Sequence, residues 1–101
     1  MNKTLHTEQQ QIFLAALREA REHAGLTQSD VAIYLGVPQS DISKCERGVR
    51  RLDVVELHSW ICALGGSFTA FAEELDQRLE AAAERRRHAT AGRRLKSKAG
   101  R

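Results

Sequence analysis

Apolar residues recur at helical spacing along most of this chain, and glycines interrupt the pattern at intervals. Phe13, Leu17, Ala20 and Ala24 fall at i, i+4, i+7 and i+11, which predicts a first helix over about residues 8–24. Thr7 and Gln10 have capping-box spacing before it, and Gly25 stops it. A second helix is expected over 28–35, with Thr27 as N-cap, Asp30 three residues on, and Val31, Ala32 and Leu35 inward. Gly36 ends it. A third runs from about Gln39 to Arg47, opened by Pro38 and closed by Gly48. Asp53 and Glu56 frame the start of a fourth, over 54–64, whose buried stripe is Leu57, Trp60, Ile61 and Leu64. A fifth runs from near Ser67 to about Arg87, with Phe68, Phe71, Ala72, Leu75 and Leu79 on one face. The stripe stops after Ala83, so residues 88–101 are expected to be a basic disordered tail.

The fold class expected is all-α: five short helices in one compact domain with an extended C-terminal helix. Residues 1–66 form its core, 67–87 the last helix and 88–101 the tail. The 101-residue length and the single proline agree with this. Charge refines the picture. Residues 1–84 carry eight Lys/Arg and thirteen Asp/Glu, a net of −5, while 85–101 carry eight Lys/Arg and no acid, a net of +8. A basic arm of this kind either contacts nucleic acid or merely solubilises. The N-terminus lacks the apolar run of a signal peptide, and no stretch is long enough for a membrane span. With only Cys45 and Cys62, the chain reads as reduced and cytoplasmic.

Helix, glycine turn and helix over residues 28–47 spell a helix-turn-helix, whose second helix enters the major groove while the first crosses the backbone. At 100° per residue, Gln39, Ser40, Ser43, Lys44 and Arg47 fall in an arc of about 140°. All five can donate hydrogen bonds. Ile42 and Cys45 point the other way. Such a helix can anchor itself and read base edges at once.

Residues 17–65 resemble the Cro/phage-repressor (XRE-like) helix-turn-helix family, most clearly in AGLTQ (24–28), LGVPQSDISKCERG (35–48) and RRLDVVEL (50–57). The resemblance implies a lambda-repressor-like five-helix fold that binds operator DNA. It implies base-reading or groove-edge roles for Gln39, Ser40, Ser43 and Lys44. It implies phosphate contacts from Thr27, Gln28, Arg47, Arg50 and Arg51, and an ion pair between Arg21 and Glu46. Cys45 departs from the family, which usually has a larger residue there, so the core beneath the third helix is expected to be loose. Asp41 can favour the helix dipole or repel a phosphate.

Plainer readings stand beside these. The polar arc is also what a solvated helix face looks like, and the arginines can be surface charge. His58 and Cys62 have metal-ligand spacing but no second pair nearby, so no metal is expected. Cys45 is an interior thiol with little to activate it. Phe71, Leu75 and Leu79 can complete the core, dock a partner or dimerise the chain, and dimerisation is the reading adopted. An enzyme reading fails for want of a nucleophile–base pair, a phosphate-cradling loop or a metal quartet. No cofactor is expected. Two functions remain: a dimeric repressor on a pseudo-palindromic operator; or an antitoxin that also grips a toxin through its C-terminal part. The basic character of residues 85–101 favours DNA.

Overall fold

Reciprocal caps and left-handed glycines decide where the central helices begin and end. The computed structural model describes the backbone of residues 3–99 and the side chains of residues 7–90. Its elements are α1 (Lys3–His23), α2 (Gln28–Leu35), α3 (Gln39–Glu46), α4 (Val54–Ala63) and α5 (Phe68–Ala99). The Thr27 hydroxyl accepts from the Asp30 N–H while the Asp30 carboxylate accepts from the Thr27 N–H. Asp53 and Glu56 repeat this box at α4. Two orphan donors are satisfied at each helix start. Gly36 leaves α2 at φ 68° and Gly48 follows α3 at φ 78°. Gly48 is constrained twice, because a Cβ there would lie 2.9 Å from Leu14 Cδ1. Its left-handed turn lets the chain pass flat over α1.

Around this, Leu17, Val31, Ile42 and Trp60 are the large fully buried side chains. Ala16, Ala32, Cys45, Ile61 and Phe71 complete one core, with Phe13, Leu26, Leu35, Leu52, Leu57, Leu64, Phe68 and Leu75 packed against it. Phe13 and Phe71 meet edge to face at 6.4 Å, joining α1 to α5. Cys45 and Trp60 lie at the floor of a solvent-open cavity of about 240 Å³ beside α3 and α4, and both are themselves buried.

Three expectations need correcting. First, α1 starts at Lys3, so Thr7 lies inside it and is no cap. Nothing in residues 3–7 breaks a helix, and adding turns to a formed helix needs no new nucleus. Second, Phe71 is buried in the chain's own core, so it is not presented to a partner, while Leu75 is partly buried against that core. Ala82 is fully buried as well. The short alanine side chain lets α5 lie close along α1 well past the point where large apolar residues end. Third, residues 88–99 are helical. Alanine, arginine, leucine and lysine are good helix formers, and the single Gly92 costs only about 1 kcal/mol. Gly100 and Arg101 lie outside the described residues.

Candidate nucleic-acid interface

The exposed face of α3 carries the arc that its spacing implies. Gln39, Ser40, Lys44 and Arg47 are exposed and Ser43 half-buried, while Ile42, Cys45 and Glu46 are buried. Arg47 Nε donates to Ser43 Oγ at 3.2 Å, which fixes one edge of the arc.

Behind it runs a line of hydrogen bonds from the core to the surface. Arg21 grips Glu46 with two parallel bonds, Nε to Oε2 at 2.6 Å and Nη2 to Oε1 at 3.0 Å. Its third donor, Nη1, reaches the Leu26 carbonyl at 2.9 Å. The side chains are 11% and 3% exposed, so this is a bidentate pair in a largely dry setting. The Glu46 hydrogen bonds hold the Arg21 guanidinium above its ordinary pKa, against the opposing effect of burial. Glu46 Oε1 also accepts from Gln28 Nε2 at 3.0 Å. Gln28 Oε1 in turn accepts from Gln39 Nε2 at 2.6 Å. One buried carboxylate thus orients the first residue of α2, and through it the first residue of α3.

Arg50 is placed differently. Its Nη2 lies 2.6 Å from Glu56 Oε2 and its Nη1 3.5 Å from Cys45 Sγ. Glu56, and to a lesser degree Cys45, raise its pKa, and Arg50 with the Asp53 N–H lowers that of Glu56. Glu56 therefore serves two partners, the α4 cap and an arginine expected at phosphates. Arg51 is exposed on the same loop. Thr27 spends its hydroxyl on the α2 cap. Asp41 is half-buried beside the cavity bordered by Cys45, Arg50 and Trp60, off the donor arc.

Two links were missing from the sequence reading: Gln28 to Gln39 and Arg50 to Glu56. Glutamine at both helix starts hinted at the first. The second was hidden because Glu56 was already explained as a cap. His58 and Cys62 lie side by side, Sγ 3.8 Å from Nδ1. Among the described residues no three His, Cys, Asp or Glu converge on a metal position, and no helix is long and apolar enough to cross a membrane.

Comparison with known proteins adds to this geometry. Residues 12–89 match the model of a helix-turn-helix domain family. An XRE-family like protein from Pseudomonas syringae pv. tomato str. DC3000 shares 41% identity over 75% of this chain and 93% of its own, with a TM-score of 0.70. The wild-type restriction-modification controller protein C.Esp1396I shares 26% identity over 76% of this chain and 95% of its own, at a TM-score of 0.59. The same controller as a tetramer in complex with its natural 35 base-pair operator superposes at a TM-score of 0.60, with 25% identity over 78% of this chain and 97% of its own. No curated protein sequence matches. From its donor-bearing α3, its α2–α3 turn and these likenesses together, the chain belongs to the XRE-like family of helix-turn-helix regulators.

Proposed function

We propose that this protein binds a specific double-stranded DNA operator as a dimer and represses transcription from it. The observation that carries this reading is the hydrogen-bonded line Arg21–Glu46–Gln28–Gln39. It pre-sets an exposed amide at the start of the helix whose outer arc bears Ser40, Ser43, Lys44 and Arg47. A glutamine amide can pair in two places with adenine, and a lysine can donate to guanine. Gln39, Ser40, Ser43 and Lys44 are the proposed readers. Arg47, Arg51, Gln28 and the Thr27 turn are the proposed phosphate contacts, which position without reading sequence. Arg50 joins them once it leaves Glu56. That a controller protein of similar fold forms a complex with its operator supports DNA binding by this chain.

Selection of binding sites from random DNA, followed by titration of the recovered site and a scrambled copy, tests the reading. Gln39→Ala or Lys44→Ala is expected to cost about 1–3 kcal/mol on the site and to relax preference at particular base pairs. Arg51→Ala is expected to weaken both duplexes alike and flatten the salt dependence by about one unit. An unchanged site-to-scrambled ratio in both α3 variants would show that α3 is not the reader.

A further inference from the structure

α4 is apolar on both sides. Leu57, Trp60 and Ile61 face the core, yet Val54 and Val55 on the outer side are exposed large hydrophobics. The other exposed side chains of α4 are His58, Ser59 and Cys62, which with the two valines form one stripe at helical spacing. Glu56 is the only charged residue in Val54–Ala63. It is half-buried and engaged with the α4 cap and Arg50. The outer face of α4 is therefore without charge, in a chain that is 29% charged. A helix apolar all round is ordinarily covered, and an exposed face of this kind marks a contact surface.

Within this stripe His58 and Cys62 stand one turn apart. Cys62 is a free, exposed thiol, and its Sγ lies 3.8 Å from His58 Nδ1 and 3.9 Å from Nε2. Two ligands on a tetrahedral zinc ion, at about 2.3 Å for sulfur and about 2.0–2.1 Å for nitrogen, are about 3.5 Å apart. The pair already stands close to ligating separation. The His58 ring also rests against Phe68, with ring centroids 5.5 Å apart, which restricts its freedom. Two ligands leave a tetrahedral site half filled, and among the described residues no three His, Cys, Asp or Glu gather on one position. One chain thus supplies half of a site, and a second copy can supply the other half.

We infer that Zn²⁺ bridges two copies of this chain through His58 and Cys62 of each, with α4 packed antiparallel on α4. A twofold axis at the level of Trp60 sets His58 of one copy opposite Cys62 of the other, so four ligands converge at one level. The second pair that the spacing of a single chain lacks comes from this symmetry. The same register sets Val55 near the second copy's Gly65 and Val54 near its Gly66. A Cβ built at Gly65 would meet nothing within 4 Å, so the backbone there is open to approach. Thiolate and imidazole suit zinc, and two of each make a closed structural site. Each Cys62 gives up its thiol proton to solvent on ligation. The contact is separate from any through α5 around Leu79 and adds one doubling of assembly to it.

The test uses the full chain without an affinity tag, kept reduced, and compares sedimentation in Zn²⁺ with sedimentation in EDTA. Zn²⁺ is expected to double the molar mass, to bind at one ion per two chains and to release about two protons per ion. Co²⁺ in its place should give the charge-transfer absorption of a tetrahedral thiolate complex. His58→Ala and Cys62→Ser should each lose the doubling and the cobalt absorption with unchanged circular dichroism, since both side chains are exposed. Val55→Glu leaves the ligands in place but puts a charge into the contact, and should weaken the zinc-driven doubling about tenfold. Leu79→Glu should retain the doubling, which separates this contact from α5. An unaffected Val55→Glu chain would overturn the packing of α4 on α4. One ion bound per chain with no change in mass, a doubling that survives in the double variant His58→Ala and Cys62→Ser, or a failure to bind Zn²⁺ at all would overturn the bridge.

Discussion

Glu46 stands at the meeting point of stability and recognition. Its carboxylate is 3% exposed and accepts from Arg21 twice and from Gln28 once. A buried charge with every partner in place is tolerated, but removing one partner leaves the other uncompensated. Glu46→Gln is therefore expected to lower the unfolding free energy by about 3 kcal/mol, measured by urea denaturation. The same substitution should loosen Gln28 and Gln39 and lower the preference for the selected site. An unchanged urea midpoint would show that the pair is not needed for stability. Glu56 poses the opposite case, because its arginine partner is exposed and the pair adds little to stability. Glutamine can still complete a capping box, so Glu56→Gln keeps the α4 start and frees Arg50. Its expected effect is tighter binding to scrambled DNA, with a salt dependence steeper by about one phosphate contact. A variant with unchanged salt slope would show that Arg50 does not reach the backbone even when released.

The helices differ in how plainly the sequence marks their limits, and the cause is the chemistry at their ends. α2, α3 and α4 begin at caps or proline and stop at or next to glycine, so their limits were legible to within a residue. The early start of α1 and the long run of α5 were not, because nothing at those ends forces a helix to stop and periodicity ends before propensity does. Ala82 was missed because an alanine at a helix–helix contact carries no signal of its own. The donor arc of α3 was legible from spacing alone, whereas the Gln28–Gln39 bond depends on the angle between two helices, which spacing does not encode. Both capping boxes also make a pH prediction. Thr27 N–H bonds hold Asp30 below its ordinary 3.8, and Arg50 and the Asp53 N–H hold Glu56 below 4.5. A carboxylate whose folded pKa is depressed stabilises the fold above its ordinary pKa, and that contribution fades as pH falls through the folded value. The melting temperature is therefore expected to be flat above about pH 5 and to decline below about pH 4.5. The double variant Asp30→Asn and Glu56→Gln should melt lower at pH 7 but show a shallower acid decline. An acid decline of equal steepness in the variant would place the sensitive carboxylates elsewhere.

At the scale of the whole molecule, the body is acidic and the duplex it is proposed to meet is an anion, so binding must be concentrated where cations gather. One copy offers a single α3, and an 8-residue helix reads only part of a groove. Two copies with recognition helices about 34 Å apart read a whole site. Phe71 belongs to the chain's own core and Leu75 packs against it, so the proposed joining surface lies further round the helix. Further round α5, Ala72 is exposed and Leu79 and Ala83 are half-buried, at spacings of seven and four residues on one stripe. This stripe is the proposed dimer contact. Leu79→Glu places a charge there without touching the core and is expected to give a folded monomer with unchanged helical content and weak operator binding. Leu75→Glu is the contrasting case: it puts a charge against the core and should destabilise each chain, by several kcal/mol if the carboxylate is left unpaired. Sedimentation and circular dichroism on the two variants distinguish them. A Leu79→Glu protein that remains dimeric, or a wild-type chain that is monomeric both free at about 10 μM and on a single operator, would remove α5 from the contact. In the second case recognition would be by one α3 alone, with affinity close to the 10⁻⁴–10⁻⁶ M of non-specific binding.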